Sequence, residues 1–212
     1  MTSPTGYQHA GDLFADLATT YRSERQLIVA ANLLALIPLL IVVVLVWLPY
    51  QLYAALGAPL ALLPDPQWPQ WTYWLIGVVI IGGSLVLHEG LHGAALLLQG
   101  HHPKFGFSSG YPYATIQPGE YLTRRQYLLM ALTPLSVMTA GGIVALLVLP
   151  VSFGQIVLIA VLLNAAACIG DLAVASRSRR WPADTLFAAN ERGIQVFSRV
   201  SRESSSPTIG NK

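Results

Sequence analysis

The chain has 212 residues, of which 54% are hydrophobic and only 10% charged, with a mean hydropathy of +0.54. A water-soluble domain carries about 25% charged residues, so this composition excludes an ordinary soluble surface, and it equally excludes a disordered chain, which would be apolar-poor and charge-rich. A single cysteine, Cys168, excludes a disulfide framework and a Cys-rich zinc module, and a net charge of +2 gives no argument for nucleic acid.

In chain order, residues 1–26 predict a cytoplasmic N-terminal segment whose first 20 residues form a flexible tail. No cleavage-site pattern precedes the first apolar run, which is therefore expected to persist as a signal anchor. Four stretches reach the roughly 20 helical residues that a bilayer core needs: Leu27 to Leu48, Trp71 to Leu98, Tyr127 to Leu149 and Phe153 to Ala175. The run Ala54 to Leu63, broken by Pro59 and Pro64, is too short to span and reads as an interfacial or re-entrant loop. Trp47, Tyr50, Tyr53, Trp68, Trp71, Tyr73 and Trp74 flank it and mark one membrane face. Between the second and third spans, Tyr111 to Gln117 is strand-forming and bounded by Gly and Pro, so a short β-hairpin-like loop is expected there.

The resulting expectation is an all-α integral membrane protein with four transmembrane helices, a 27–176 transmembrane domain and a 177–212 cytoplasmic C-terminal tail. All 12 basic residues fall before the first span, between the second and third, or after the fourth. The positive-inside rule then puts both termini and the middle loop in the cytoplasm. Small size and the lack of targeting signals suit a prokaryotic plasma membrane.

Ionisable residues within spans are costly and are functional suspects by default. Four occur: His88, Glu89 and His92 in the second span and Asp171 in the fourth. The first three form HEGLH, an H-E-x-x-H motif. Residues four apart share a helix face, so both imidazoles can reach one zinc ion, and the adjacent glutamate is placed to act as general base toward water. With five histidines in the chain, chance predicts only about 0.003 such motifs. A third protein ligand is needed. A further histidine six residues after His92 would define one extended motif, but that position is Leu98. Asp171 is the leading candidate because it is the other ionisable group within a span at matching depth; His101, His102 and Glu120 are the alternatives. Asn164, two turns before Asp171 on the same stripe, is a candidate donor to an oxyanion or substrate carbonyl, or else an interhelical hydrogen bond. Cys168 reads as a small apolar filler, Ser84 as a neighbour behind His88, and Gly90, Gly93, Gly141 and Gly142 as points of close helix approach.

HEGLH in a membrane helix, Thr133-Pro134 in the next, then Asn164 and Gly170-Asp171, together resemble the zincin membrane metallopeptidases, remote relatives of the site-2 proteases. The similarity covers about residues 70 to 190. It implies zinc held by His88, His92 and Asp171, with Glu89 activating water. The chain has Ile169-Gly170-Asp171 where the best-known site-2 proteases have LDG, and it shows no PDZ-like segment, so selection by such a domain is not implied. The expected function is hydrolysis of peptide bonds in membrane proteins or peptides near the cytoplasmic face. The competing expectation is a non-catalytic zinc-binding membrane scaffold.

Overall fold

The computed structural model describes residues 3–13, 24–57, 69–108, 111–190 and 193–200. Two elements dominate it, a bundle of long apolar helices and an antiparallel sheet across one end. In chain order they are β1 (Tyr7–Asp12), α1 (Glu24–Ala55), α2 (Gln70–Leu98), β2 (Pro103–Ser108), β3 (Tyr111–Ile116), β4 (Leu122–Thr123), α3 (Arg124–Val148), α4 (Val151–Ala167), α5 (Ile169–Ser178), β5 (Leu186–Asn190) and β6 (Gly193–Arg199).

Among the described residues three helical stretches are long and apolar enough to cross a membrane: Leu36–Ala55, Gln70–Leu98 and Arg124–Val148. Their outward faces carry bare aliphatic side chains, such as Val44 and Val86, which water would not tolerate in such a continuous belt. These faces are compatible with a bilayer. The fourth stretch differs from a single straight helix. It is two helices, α4 and α5, meeting at a 41° bend. At the break Cys168 has φ −68° and ψ 3°, which ends α4 and starts α5. The first helix is also longer than the apolar run, because Glu24 to Gln26 extend it at one end and Pro49 to Ala55 at the other. Residues 58–68 of the expected interfacial loop lie outside the described residues, as do residues 201–212.

The hairpin after α2 forms where expected. A left-handed Gly100, φ +79°, ends α2 with two return bonds, from the Gly100 N–H to Leu97 O (3.0 Å) and from the His101 N–H to Leu96 O (3.0 Å). The chain then runs into β2, which pairs antiparallel with β3 from Pro103↔Ile116 to Ser108↔Tyr111. The second sheet is not anticipated by the local sequence pattern. It is antiparallel in the order β1-β6-β5-β4, and it draws strands from both ends of the chain. Residues expected to trail as tails pair instead, Tyr7↔Arg199 through Asp12↔Gln195, with a bulge between His9 and Gly11. The physical reason is burial. Phe187, Val196 and Leu122 turn inward onto Leu96, Ile116 and Tyr127 at the ends of the helices and hairpin, and the Tyr127 and Phe187 rings stack with centroids 4.8 Å apart. A second core lies within the bundle, where Val42 and Val46 of α1 meet Leu146 of α3 and Leu158, Val161 and Ala165 of α4.

Small residues act differently from one another. A Cβ at Gly142 would strike Val161, so this glycine sets how closely α3 approaches α4, whereas Gly90 and Gly141 face open space. At Gly93 the close neighbour is the Phe105 ring of β2, so this glycine seats the hairpin on α2 and not a helix. Gly142→Ala is therefore expected to destabilise the detergent-solubilised protein, since overpacking costs about 1–3 kcal/mol against up to about 1 kcal/mol of helix propensity gained. Gly141→Ala should leave the thermal midpoint unchanged or raise it. Adding Val161→Ala to Gly142→Ala should recover part of the loss.

Candidate metal centre

His88 and His92 lie one turn apart on the buried face of α2. Asp171 lies in the first turn of α5, where the helix N-terminus favours a carboxylate. The bend at Cys168 directs that turn at α2. The Asp171 Oδ2 atom comes to 3.3 Å from His88 Nε2, and Oδ1 to 3.2 Å from His92 Nε2. Two ligands of one tetrahedral zinc at about 2.0–2.1 Å would lie about 3.3–3.4 Å apart, and each imidazole has that spacing to its own oxygen of the one carboxylate.

The other nitrogen of each ring is engaged elsewhere. His88 Nδ1 lies 2.8 Å from Asn164 Oδ1, and His92 Nδ1 lies 2.9 Å from the Met130 carbonyl oxygen. Asn164 Nδ2 donates to Pro134 O at 3.2 Å, which orients the amide so that Oδ1 faces the histidine. Both imidazoles therefore carry a proton on Nδ1, which leaves Nε2, the nitrogen that faces Asp171, as the atom that would bind a metal. This is the arrangement that metal-binding histidines adopt, with the second nitrogen donating to an oxygen. Asp171 Oδ2 is buried and has no hydrogen-bond partner, so the donor set and this orphaned oxygen fit a divalent cation.

Glu89 is half-buried beside the pair. One ligand atom each from His88, Glu89 and His92 lie within 4.8 Å of one another. Its carboxylate lies against the backbone N–H of Ala114 on β3. The pairing explains why that amide is available. Gln117 N donates to His102 O at 3.2 Å, so in this register the N–H groups of residues 111, 113 and 115 face β2, and those of Ala114 and Ile116 face away. The outer edge of β3 thus runs past Glu89. A cleft of about 1010 Å³ opens along this edge, between Tyr113 and Thr115 on one side and His9, Asn190 and Ile194 on the other, with Lys104 at its rim.

Of the residues singled out in the sequence, His88, Glu89, His92, Asn164, Cys168 and Asp171 converge. Cys168 Sγ lies 3.8 Å from Asn164 Oδ1 and 3.9 Å from His88 Nδ1, the nitrogen that already bonds the amide. One ligand atom each from His88, Cys168 and Asp171 also lie within 4.8 Å of one another. His101, His102 and Glu120 form their own cluster at the base of the hairpin. His102 donates to Glu120 from its ring (2.7 Å) and its backbone (3.1 Å), and His101 Nδ1 lies 3.3 Å from the same carboxylate. Two partners of the site, Met130 O and Ala114 N–H, are backbone atoms and have no signature in residue type. The strand-forming run around Ala114 is the one cue to the latter.

The helical bundle and this constellation define an H-E-x-x-H protein of apolar helices. Residues 80–186 match the model of a family described as "Putative zincin peptidase", and the chain belongs to that family. No curated protein and no solved structure matches the chain.

The hairpin-base cluster has a pH signature. Burial pushes the Glu120 carboxyl up, but the hydrogen bonds from the His102 ring and backbone, its charge, and the His101 contact outweigh this and hold it below the ordinary carboxylate range. A carboxyl lowered by folding contributes stability that is fully present above its unfolded pKa of about 4.3 and is lost as pH falls through the folded value. Wild type should therefore be more heat-stable than Glu120→Gln at pH 6, and the difference should shrink as pH falls below the ordinary carboxylate range.

Proposed function

We propose that this chain is a membrane-embedded zinc metallopeptidase that hydrolyses peptide bonds of membrane proteins or peptides near the cytoplasmic face. The observation that carries the reading is the approach of His88 Nε2 and His92 Nε2, at 3.3 and 3.2 Å, to the two oxygens of the single Asp171 carboxylate, with each Nδ1 turned away to an oxygen. The three side chains would hold zinc. Bound there, zinc supplies Lewis acidity at the scissile carbonyl and lowers the pKa of water. Membership in the zincin peptidase family supports the same cofactor.

Glu89 is the general base. It takes the proton of the attacking water and passes it to the leaving amine. Its contact with the Ala114 amide keeps the carboxylate at the β3 edge. Asn164 acts as a positioning residue for His88. Its Oδ1 accepts from the ring and one Nδ2 proton goes to Pro134 O, which favours the interhelical alternative over a direct contact with substrate. A helical substrate hides its carbonyls in backbone bonds and must unwind. The outward N–H and C=O groups of β3 and the cleft beside them offer an extended segment a strand partner.

The topology that goes with this reading has four spans, α4 and α5 together making the last, with both termini cytoplasmic. The three basic groups of the sequence support that orientation. The hairpin, the sheet and the cleft then lie on the cytoplasmic side, where water and unwound peptide reach the site. A prokaryotic plasma membrane suits the chain's small size.

Metal analysis of the purified protein should find one zinc per chain in wild type, and little in His88→Ala, His92→Ala or Asp171→Ala. Glu89→Gln should retain the zinc and lose cleavage of a labelled transmembrane-peptide panel by at least about 10²-fold, and a chelator should abolish wild-type cleavage. Full zinc in Asp171→Ala would overturn the ligand set. Stoichiometric zinc without turnover on any peptide would leave a non-catalytic zinc scaffold.

A further inference from the structure

The zinc reading leaves one feature of α3 unused, the missing N–H of Pro134 in the middle of an apolar helix. Proline in a helix interior removes the N–H that residue 134 would donate to the carbonyl four residues earlier. That carbonyl belongs to Met130, the group that accepts the His92 Nδ1 proton at 2.9 Å. The preceding carbonyl, Leu129 O, is taken by the Thr133 hydroxyl at 2.6 Å. The carbonyl of Pro134 itself accepts from Asn164 Nδ2, and the other end of that amide accepts from His88. Residue 134 thus bears on both imidazoles by separate routes, the missing N–H on His92 and its own carbonyl on His88. Pro134 is also among the fully buried side chains, seated inside the bundle and not facing lipid.

We infer that Pro134 is a positioning residue for metal binding: its missing N–H leaves the Met130 carbonyl as an undivided acceptor for His92, which fixes that ring with Nε2 toward Asp171. The demand is mutual. A buried carbonyl that has lost its helical donor needs another, and an imidazole that must present a bare Nε2 needs an acceptor for its Nδ1 proton. An amide at residue 134 competes for the same oxygen, weakens the bond to His92, and lets the ring turn or change tautomer.

The inference rests on zinc being held by His88, His92 and Asp171, and its test separates the two. Zinc affinity is measured by competition with a chromogenic chelator on the full-length protein in detergent, beside the thermal midpoint of the metal-free form. Three proteins are compared: wild type, Pro134→Ala, and the ester analogue of that variant, with lactic acid introduced at position 134 by nonsense suppression. The alanine and lactate forms share a side chain and differ in the N–H. Pro134→Ala should bind zinc about tenfold more weakly, within the range typical for partners of ligating histidines, with a metal-free form at least as heat-stable as wild type because a helix bond is restored. The lactate form should return to within about twofold of wild-type affinity. Equal affinity in wild type and Pro134→Ala overturns the inference while the zinc reading stands. Equal weakening in the alanine and lactate forms, or failure of both to fold, also overturns it, because the ring and not the missing donor would then be what the site needs. Folding of the lactate form alone supports it. Wild type without zinc defeats the zinc reading and this inference together.

Discussion

A carboxylate and two imidazoles packed among aliphatic side chains are the constraint on which the arrangement of helices depends. Ionisable groups withdrawn from water are tolerated where they are paired, hydrogen-bonded or bound to a cation. Here the ring nitrogens facing away from the centre have partners, and the orphaned buried oxygen, Asp171 Oδ2, points at His88. Four helices are committed to the result. Helix α2 gives the imidazoles, α5 the carboxylate, α4 the amide of Asn164, and α3 the two carbonyls of Met130 and Pro134. The departure from regular helix at Cys168 and the interior proline both sit where they bring a polar group to this centre.

The rest of the fold divides into two layers with different solvents. The bundle packs Val42, Leu146, Val161 and Ala165 inward and leaves an aliphatic belt outside. The sheet layer buries Phe187, Val196 and Leu122 against the helix ends and keeps charged and polar side chains around the cleft. The hairpin joins the layers. Phe105 sits over Gly93 of α2, one residue after His92, while Ala114 on the partner strand reaches Glu89. Glu89 is in this way tied to the strand that lines the cleft. Membership in the zincin peptidase family agrees with a centre built for a cation and water.

The H-E-x-x-H spacing fixes the two-histidine face because helical periodicity is local, and three ionisable residues in an apolar run are too costly to persist without a role. The same local logic makes α2, α3 and the hairpin readable, since each follows from a run of residues with one period. Asp171 ranked above His101, His102 and Glu120 because it is the other ionisable group within a span and lies at a matching depth. The latter three, close to His92 in sequence, instead clasp the hairpin base, because the left-handed Gly100 turns the chain out of the helix before them.

What local pattern could not determine is what distant segments do to one another. The strands at residues 7–12 and 186–199 are short and weakly alternating, and they become strands because each end of the chain supplies the other's partner and a hydrophobic helix end supplies the floor. The acceptor for the His92 ring and the amide against Glu89 are backbone groups that any residue type carries, so their roles exist only once α3 and β3 are placed against α2. By itself the sequence determined the set of groups, two imidazoles and a carboxylate on one apolar helix, because that needs only 3.6 residues per turn. The tertiary structure alone decided the aim of those groups, because a hydrogen bond between helices depends on where two backbones meet.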